Sequence, residues 1–317
     1  MRVAPLRKGE SVLDRGRKSE SAHMNTAHGM TVLVTGATDG VGRLVAKQVA
    51  AAAANVIVHG RNPTKGEQTV RDIRREIEQA QIEFRCADLA SLEDVRQLAR
   101  SVANAHEHID VLINNAGLGF GAPGSQREVS RDGHELRFAV NYLAPFLLTH
   151  LLLPTIRRSA RARIVNVASI GQAPIQFDDV MLTRTYDGRR AYAQSKLALV
   201  MFTLDLAAAL QGTNVAINAV HPATFMNTRM VSDAGIRPQN TVEQGADAVL
   251  HLAISPDAEG VSGRFFDGLR ESRALDEAYD PVSRRRLREL TLPLVGLSAE
   301  DPWGNAPESR VNAQTHA

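Results

Sequence analysis

Short runs of apolar residues alternate with longer amphipathic stretches along most of this chain. The short runs have the length and composition of strands, and they predict strands at 31–34, 55–59, 82–86, 109–113, 163–167, 215–220 and 263–266. Apolar residues at helical spacing predict a helix that contains Leu44, Val45 and Val49. The same spacing predicts further helices at 63–80, 91–105, 132–158, 190–210, 241–254 and 280–292.

This alternation determines the fold class that we expect. A strand–helix–strand unit pairs its strands in parallel through a right-handed crossover. Repeated units predict an α/β fold: a single doubly wound parallel sheet of the Rossmann type over residues 30–270, with a C-terminal helical extension. We interpret residues 1–29 as a disordered tail, or as sequence translated from upstream of the true start. An organelle transit peptide rich in arginine and serine is a weaker alternative, because the segment also contains Glu10, Asp14 and Glu20. Residues 271–317 are predicted to form a C-terminal helix and a flexible tail.

Composition narrows the class of protein further. The 317 residues carry a formal charge of +2 with acidic residues spread among the arginines, so we expect no nucleic-acid partner. The longest apolar run, 139–154, is interrupted by Asn141, Pro145 and His150, and no membrane span is expected. The polar N-terminus lacks the apolar region of a secretory signal, which favours a cytoplasmic protein. The single cysteine, Cys86, excludes an internal disulfide and is predicted to lie in the core.

A glycine-rich turn follows the first predicted strand. Its glycines have the spacing G-x-x-x-G-x-G, and helical periodicity begins directly after them. Glycine lets the backbone approach a pyrophosphate closely, and a helix N-terminus offers free N–H groups to an anion. We therefore predict a dinucleotide site, although the same glycines also suit a plain tight turn between strand and helix. The residues assigned to this site are Thr35, Gly36, Thr38, Asp39, Gly40, Val41 and Gly42.

Tyr192 and Lys196 lie four residues apart in a predicted helix and therefore share one of its faces. A phenol has a pKa of about 10, and a neighbouring ammonium lowers it towards the working pH of a general acid or base. Packing would explain the tyrosine alone, and surface charge would explain the lysine alone. Their position after the glycine turn, the NNAG tetrapeptide at 114–117 and Ser169 favours a catalytic role for both.

The sequence resembles the short-chain dehydrogenase/reductase family from about Met30 to Phe266. The resemblance lies in the motifs TGATDGVG, CADL, NNAG, VNY, VNVAS, YAQSK and HPATFMNT, which follow one another in this order. The long segment between Ser169 and Tyr192, together with the C-terminal helix, is similar to the retinol-dehydrogenase-like branch. The resemblance implies an oxidoreductase that interconverts a carbonyl and an alcohol on a bulky, apolar small molecule.

The resemblance also implies a role for each matching residue. Tyr192 would donate the proton and Ser169 would orient the carbonyl. Lys196 would bind the nicotinamide ribose and lower the pKa of Tyr192, and Asn141 would hold a water molecule that connects Lys196 to solvent. Asp88 and Leu89 would meet the adenine, and further cofactor contacts would come from Asn115, Ala116, Gly117, Pro222, Thr224 and Thr228. No metal site is implied.

The cofactor is predicted to be NADP(H) rather than NAD(H). An acidic residue after the second strand would bind a ribose 2′-hydroxyl and repel a 2′-phosphate, but residues 59–62 read HGRN. The guanidinium of Arg61 suits a phosphate, with a surface arginine as the plain alternative, and Arg43 is a second candidate. Asp39 argues for NAD(H), since related NADP enzymes carry a basic or hydroxyl residue at its position.

Two segments without regular periodicity, 171–188 and 223–239, follow the ends of strands and are predicted to cover the substrate. Their large apolar residues either line an apolar pocket or anchor the loops to the core; they are Phe177, Met181, Phe225, Met226 and Met230. The resemblance implies that the helices at 132–158 and 190–210 form the face of a homodimer, while the C-terminal extension is placed to block other contacts.

A competing class of protein is a non-catalytic, dinucleotide-binding regulatory protein on the same fold, because fold alone does not determine function. Such a protein is expected to lack Tyr192 or Lys196, and both are present. An epimerase or dehydratase on a related fold is a third interpretation. Those enzymes carry larger C-terminal substrate domains than the segment that follows the last predicted strand.

Overall fold

The computed structural model describes residues 27–122 and 124–298. Within these ranges, eight strands form one sheet in the order β3-β2-β1-β4-β5-β6-β7-β8. The strands are β1 Thr31–Val34, β2 Asn55–Gly60, β3 Gln81–Cys86, β4 Val111–Asn114, β5 Ala162–Val167, β6 Val215–His221, β7 Phe265–Asp267 and β8 Arg270–Ser272. Every neighbouring pair is parallel except β7 and β8. This arrangement confirms the predicted α/β fold with a doubly wound sheet.

Helices connect the strands through most of the described chain. They are α1 Gly40–Ala51, α2 Pro63–Glu76, α3 Leu92–Ala105, α4 Leu136–Ile156, α5 Gly188–Ala209, α6 Arg229–Asp233, α7 Val242–Ile254 and α8 Pro281–Leu294. The α4 helix begins at Leu136 instead of 132 because Ser130 closes a turn through hydrogen bonds with His134 and Gly133. Ser91 and Thr241, which precede α3 and α7, each cap their helix by accepting a hydrogen bond from its first backbone N–H groups.

The helices cover both faces of the sheet. One layer contains α1, α2 and α7, and the other contains α3, α4, α5 and α8. Successive strand residues alternate between the layers, as in β1, where Val32 and Val34 join the first core and Leu33 joins the second. Because both faces are buried, the strands read as continuous apolar runs.

Two details differ from the sequence predictions. The sequence did not predict β8, which is exposed, pairs antiparallel with β7 and extends the sheet to Ser272, beyond the predicted domain end at 270. The prediction that Cys86 lies in the core is wrong, because Cys86 ends the edge strand β3 and is exposed. Its Sγ lies 3.8 Å from the carbonyl oxygen of Arg61.

By length and composition, α4 is the one helix within 27–122 and 124–298 that could cross a membrane. Most of its apolar window, 83%, is nevertheless buried inside the protein, as in the core helix of a globular domain. It packs against α3 and α5. Its composition is therefore weak evidence for a membrane span, and the absence of a span stays a prediction.

The C-terminal extension packs on α5 through α8. The phenol of Tyr142 in α4 and the hydroxyl of Thr291 in α8 are 2.7 Å apart, and both residues are buried. The extension thus covers part of the α4–α5 surface, and a homodimer stays a prediction. Ala27, placed in the predicted tail, is buried in the core. Of the predicted N-terminal tail and the C-terminal segment, residues 1–26 and 299–317 lie outside the described residues.

Candidate active site

The carboxyl ends of β1 and β4 lie side by side at the point where the order of the strands reverses. From here the chain order runs towards β2 on one side and towards β5 on the other. Ligands of open α/β sheets bind in the crevice at such a switch point. The glycine turn after β1, the NNAG segment after β4 and Ser169 after β5 all lie at this edge of the sheet.

The glycine turn is built so that side chains do not fit between its backbone and its surroundings. Gly36 and Gly40 have φ values of +63° and +51°, a region that favours glycine. A Cβ on Gly42 would lie 2.3 Å from Nδ2 of Asn115 and 2.4 Å from the oxygen of Gly36. Asp39 caps α1 by accepting a hydrogen bond from the N–H of Gly40 at 2.8 Å. Asp39 therefore has a structural role that does not depend on the choice of cofactor.

Asn115 and Thr35 lock the NNAG segment to the glycine turn. Nδ2 of Asn115 donates to the carbonyl oxygens of Thr35 at 2.8 Å and of Gly36 at 3.1 Å. The Thr35 hydroxyl accepts from the N–H groups of Asn115 at 3.0 Å and Ala116 at 3.1 Å. These predicted cofactor residues are thus brought together, and the side chains of Thr35 and Asn115 bind each other's segments.

His59 supports the turn from behind, and the sequence analysis gave it no role. Its Nδ1 accepts a hydrogen bond from the N–H of Gly36 at 3.3 Å, and its Nε2 lies 3.1 Å from the carbonyl oxygen of Ala87. The ring is buried, and burial lowers its pKa to about 4. A histidine at the end of a predicted strand was the only sequence signal, and it did not indicate which segment the ring would contact.

At the end of β2, Arg61 is exposed and forms no ion pair with the other residues that the structure describes. Arg43, the second candidate, is instead paired with Asp72 at 2.8 Å. A Cβ on Gly60 would lie 2.6 Å from Cγ2 of Thr38, so the Thr38 side chain packs directly against the end of β2. Of the two arginines, Arg61 is the one whose guanidinium pairs with no carboxylate of the described residues.

The two predicted adenine contacts, Asp88 and Leu89, differ in their surroundings. Asp88 is half-buried, and its carboxylate accepts a hydrogen bond from the N–H of Ala90 at 3.0 Å. Leu89 is buried in the core layer that contains α3 and α4. Its side chain is therefore occupied by packing, and only its backbone remains for a contact with a ligand.

Ser169 and Tyr192 meet at the centre of the site. The Ser169 hydroxyl hydrogen-bonds the phenol of Tyr192, and its Oγ accepts from the N–H of Gly171 at 3.0 Å. Burial raises the pKa of Tyr192, and the hydrogen bond from Ser169 opposes that rise. Burial therefore sets the direction of this shift in the chain alone, and the lowering of this pKa by Lys196 stays a prediction.

Lys196 is buried beside the ring of Tyr192. Its Nζ lies 5.8 Å from the ring centroid and donates a hydrogen bond to the carbonyl oxygen of Val167 at 2.8 Å. Burial lowers the pKa of Lys196 to about 8. A Cβ on Gly117 would lie 3.4 Å from this Nζ, so the end of the NNAG segment packs close to the ammonium.

Asn141 lies in a π-helical stretch of α4, Ala139–Leu143, a feature that is frequent at functional sites. Its Oδ1 accepts from the N–H of Leu118 at 2.7 Å. Its Nδ2 donates to the carbonyl oxygen of Leu118 and to the Ser195 hydroxyl, both at 3.0 Å. Both amide hydrogens are thus used to fix the NNAG segment and α5, and the predicted water connection stays a prediction.

The loop after β6 approaches the glycine turn. Pro222 is buried, and the Thr224 hydroxyl lies 3.0 Å from Nε2 of His221. Thr228 contacts the glycine turn, since its Cγ2 would lie 3.4 Å from a Cβ on Gly40. This contact closes one side of the crevice in which a dinucleotide is predicted.

The large apolar residues of the two covering segments divide between the two roles left open by the sequence. Phe177 lies 4.4 Å under the guanidinium of Arg286 in α8, and Met181 and Met226 pack against the two cores. These three residues anchor the segments. Met230 is 41% exposed and remains available to a ligand.

The fold and this site define an oxidoreductase with a dinucleotide crevice beside a serine, a tyrosine and a lysine. The model of the short chain dehydrogenase family matches residues 30–237. The chain therefore belongs to the short-chain dehydrogenase family, as the motifs predicted. It is an oxidoreductase that acts on CH–OH or C=O groups.

Relatives with known names support the retinol-dehydrogenase-like branch. The chain is 38% identical over 292 residues to retinol dehydrogenase 13 of Homo sapiens, covering 86% of this chain and 87% of the relative. It is 35% identical over 283 residues to polyprenol dehydrogenase of Homo sapiens, covering 84% of each chain. A short chain dehydrogenase of Escherichia coli CFT073 complexed with NADPH has a TM-score of 0.64 and 28% identity, covering 78% of this chain and 99% of that one.

Proposed function

We propose that this protein is an NADP(H)-dependent oxidoreductase that interconverts a carbonyl and an alcohol on a bulky, apolar small molecule. Tyr192 serves as the general acid and base. The observation that carries the proposal is the contact of the Ser169 hydroxyl with the Tyr192 phenol, with the buried ammonium of Lys196 beside the same ring. A hydroxyl, a phenol and an ammonium at the switch point of the sheet suit proton transfer to a developing alkoxide.

The crevice fits a dinucleotide. The glycine turn lies at the N-terminus of α1, has no side chains on its three glycines, and faces the crevice where helix N–H groups attract a pyrophosphate. Gly36, Gly40 and Gly42 would hold the phosphates, and Lys196 would hold the nicotinamide ribose. When bound, the cofactor supplies the hydride that is added to the carbonyl carbon.

The chain's own residues provide the proton. Because burial raises the pKa of Tyr192, the phenol keeps its proton until a substrate oxygen accepts it. The Ser169 hydroxyl then orients the carbonyl oxygen and stabilises the negative charge that forms there. The ammonium of Lys196 favours the phenolate that remains on Tyr192. In the direction of alcohol oxidation, the same phenolate takes the hydroxyl proton.

The preference for NADP(H) is supported by charge at the end of β2. The guanidinium of Arg61 is exposed there and suits a 2′-phosphate. The E. coli structure complexed with NADPH is consistent with this choice. The names of the relatives indicate retinol and polyprenol as their substrates. For this chain we therefore propose a long apolar alcohol or the corresponding carbonyl compound.

A panel of carbonyl compounds tests the proposal. All-trans-retinal, a short polyprenal, cinnamaldehyde, 3-phenylpropanal and butanal are each mixed with NADPH or NADH, and absorbance of the reduced cofactor is followed. We expect turnover with NADPH, and Tyr192→Phe should reduce it by roughly 10²- to 10⁴-fold while NADPH binding is retained. Tight NADPH binding without turnover of any compound would instead support the regulatory protein. Undiminished turnover in Tyr192→Phe would contradict the role of the phenol.

A further inference from the structure

A cluster of three polar side chains, two of them buried and one half-buried, lies outside the catalytic residues. Glu135 and Arg137, at the start of α4, and Tyr186, before α5, form this cluster, and the side chains of Glu135 and Arg137 are 1% and 6% exposed. Nη1 of Arg137 donates to the Tyr186 phenol at 2.6 Å, and that phenol donates to Glu135 at 3.4 Å. Burying charged groups is costly unless they are paired and hydrogen-bonded, and here each is.

The cluster holds the segment that directly follows the NNAG motif. Nε of Arg137 donates to the carbonyl oxygen of Gly119 at 2.8 Å. A Cβ on Gly121 would lie 2.7 Å from Nη2 of the same guanidinium. A Cβ on Gly188 would lie 2.4 Å from the carbonyl oxygen of Phe120. Residues 119–121 are thus fixed between α4 and the first residue of α5, the helix that carries Tyr192.

Phe120 is the large apolar side chain of this fixed segment. Its ring meets the ring of Tyr192 edge-on, with centroids 5.9 Å apart and an interplanar angle of 79°. The guanidinium of Arg189 lies 5.4 Å from its centroid. Phe120 is half-buried, and a Cβ on the neighbouring Gly119 would lie 2.7 Å from Cγ of Met230 in the second covering segment. Phe120 therefore stands between the two covering segments and beside the catalytic phenol.

We propose that Phe120 is a specificity-determining residue that contacts the substrate next to its carbonyl group, and that Arg137 is a positioning residue that holds it there. This inference rests on the proposed function, since it assumes that Tyr192 protonates a carbonyl. The phenyl ring favours a flat, conjugated group over a flexible chain, because aromatic faces and edges stack on planar π-systems.

Two aldehydes with one carbon skeleton test the role of Phe120. Cinnamaldehyde is flat and conjugated, whereas 3-phenylpropanal is flexible at the same positions. The measured quantity is kcat/KM for cinnamaldehyde divided by kcat/KM for 3-phenylpropanal. General damage to Tyr192 affects both values equally and cancels in this ratio. We expect Phe120→Ala and Phe120→Leu to lower this ratio by roughly 3- to 10-fold and Phe120→Tyr to preserve it. Phe177→Ala, which removes a phenyl ring that anchors a covering segment, is the matched control and should leave the ratio unchanged.

The role of Arg137 is tested through Phe120. Arg137→Met should lower the same ratio as Phe120→Ala does, and the double variant should show no further loss. Arg137→Lys should show a ratio between those of Arg137→Met and the wild type. Lysine keeps the positive charge but lacks the several fixed N–H donors of the guanidinium. Tyr186→Phe, which deletes only one hydroxyl, replaces Arg137→Met if that variant does not fold. An equal loss of kcat/KM for both aldehydes and for butanal would show a merely structural role and overturn this half of the proposal.

The outcomes separate this inference from the proposed function. A wild-type protein that reduces the aldehydes through Tyr192, but whose ratio is unchanged in Phe120→Ala, contradicts only the role of Phe120. A wild-type protein that reduces none of the panel overturns the proposed function and this inference with it. A ratio that falls in Phe120→Ala and in Phe177→Ala alike also overturns the inference, because the effect would then belong to the loops in general.

Discussion

The backbone N–H of Gly36 donates a hydrogen bond to Nδ1 of His59, and this bond joins the glycine turn to the neighbouring strand β2. The carbonyl oxygen of Ala87 can only accept, so Nε2 of the same ring carries the proton. His59 therefore supports the turn as a neutral imidazole. A second proton on the ring would remove the acceptor that Gly36 needs.

Acid should weaken the fold through His59. Its pKa is 6.5 when unperturbed and about 4 in the folded protein, because burial disfavours the charged ring. As the pH falls from 6.5 to 4, the unfolded chain gains a proton that the folded chain does not. The free energy of unfolding should therefore fall by up to about 3 kcal/mol over this range.

Urea unfolding at several pH values measures this loss. His59→Asn cannot take up the proton, so its free energy of unfolding should change less steeply with pH below pH 6.5. His28→Asn removes an exposed histidine and should keep the wild-type slope. Equal slopes in all three proteins would show that His59 does not carry the effect.

Reduction of an aldehyde should slow above about pH 8 as Lys196 loses its proton. Burial lowers the pKa of Lys196 to about 8, and the neutral amine no longer favours the phenolate of Tyr192. The stability should change in the opposite direction. The unfolded lysine keeps its proton up to about pH 10.5, so the free energy of unfolding rises between pH 8 and 10.5 through this group. A pH–rate profile measured beside thermal melts at the same pH values separates the change in activity from the change in stability. A rate that falls only at the pH values where the protein unfolds would refute the prediction.

Arg61→Asp should change the choice of cofactor. The carboxylate would repel a 2′-phosphate and accept a hydrogen bond from a ribose 2′-hydroxyl. We expect the Kd for NADPH to rise roughly 10- to 100-fold and the Kd for NADH to fall. Arg71→Asp makes the same change of charge at an exposed position on α2 and should leave both values as they are. An unaltered Kd for NADPH in Arg61→Asp would show that another residue binds the phosphate.

The rate at which a thiol reagent modifies Cys86 should depend on whether the cofactor occupies the end of the crevice beside Arg61. Cys86 is the single cysteine of the sequence, it is exposed, and it ends β3 beside Arg61. A thiol reagent should modify it in the free protein, and NADP⁺ at ten times its Kd should slow the reaction roughly tenfold. The protection should disappear in Arg61→Asp. A rate that does not respond to NADP⁺ would place the adenosine ribose elsewhere.

Thr291→Val should destabilise the C-terminal extension. The substitution keeps the shape of the side chain but leaves the buried phenol of Tyr142 without the hydroxyl that lies 2.7 Å away. We expect the free energy of unfolding to fall by about 1–3 kcal/mol. Adding Tyr142→Phe removes the unpaired group and should recover part of the loss, as a double-mutant cycle would measure. Identical stabilities of the single and double variants would contradict this explanation.

The parts of the site that could be predicted from the sequence depend on local spacing. The glycine turn lies between a strand and its helix, and Tyr192 and Lys196 lie one helical turn apart, so the chain itself places them. Parallel strands bring their carboxyl ends to one edge, which placed Ser169 and the NNAG segment beside them. None of these relationships requires knowledge of which distant side chains touch.

The parts that could not be predicted depend on contacts between distant residues. His59 supports Gly36 across 23 positions, and Arg137 meets Tyr186 across 49. Periodicity does not report such pairs. Cys86 was misplaced because an edge strand and a central strand have the same pattern. The rise that burial causes in the pKa of Tyr192 could not be predicted, because the penalty of burial is a property of the folded surroundings.

The link between α8 and α3 has a consequence for synthesis on the ribosome. Arg96 of α3 donates a hydrogen bond to the carbonyl oxygen of Val295, which lies 199 positions later in the chain. The layer that contains α3, α4 and α5 can reach its native form only after nearly the whole described chain has been translated. The helices of the opposite layer are complete once α7 ends at Ile254, and its core is complete once Phe266 of β7 has been added. The apolar side of α4 and α5 that α8 will cover is therefore the surface that a nascent chain leaves uncovered longest, and it is where a chaperone would bind.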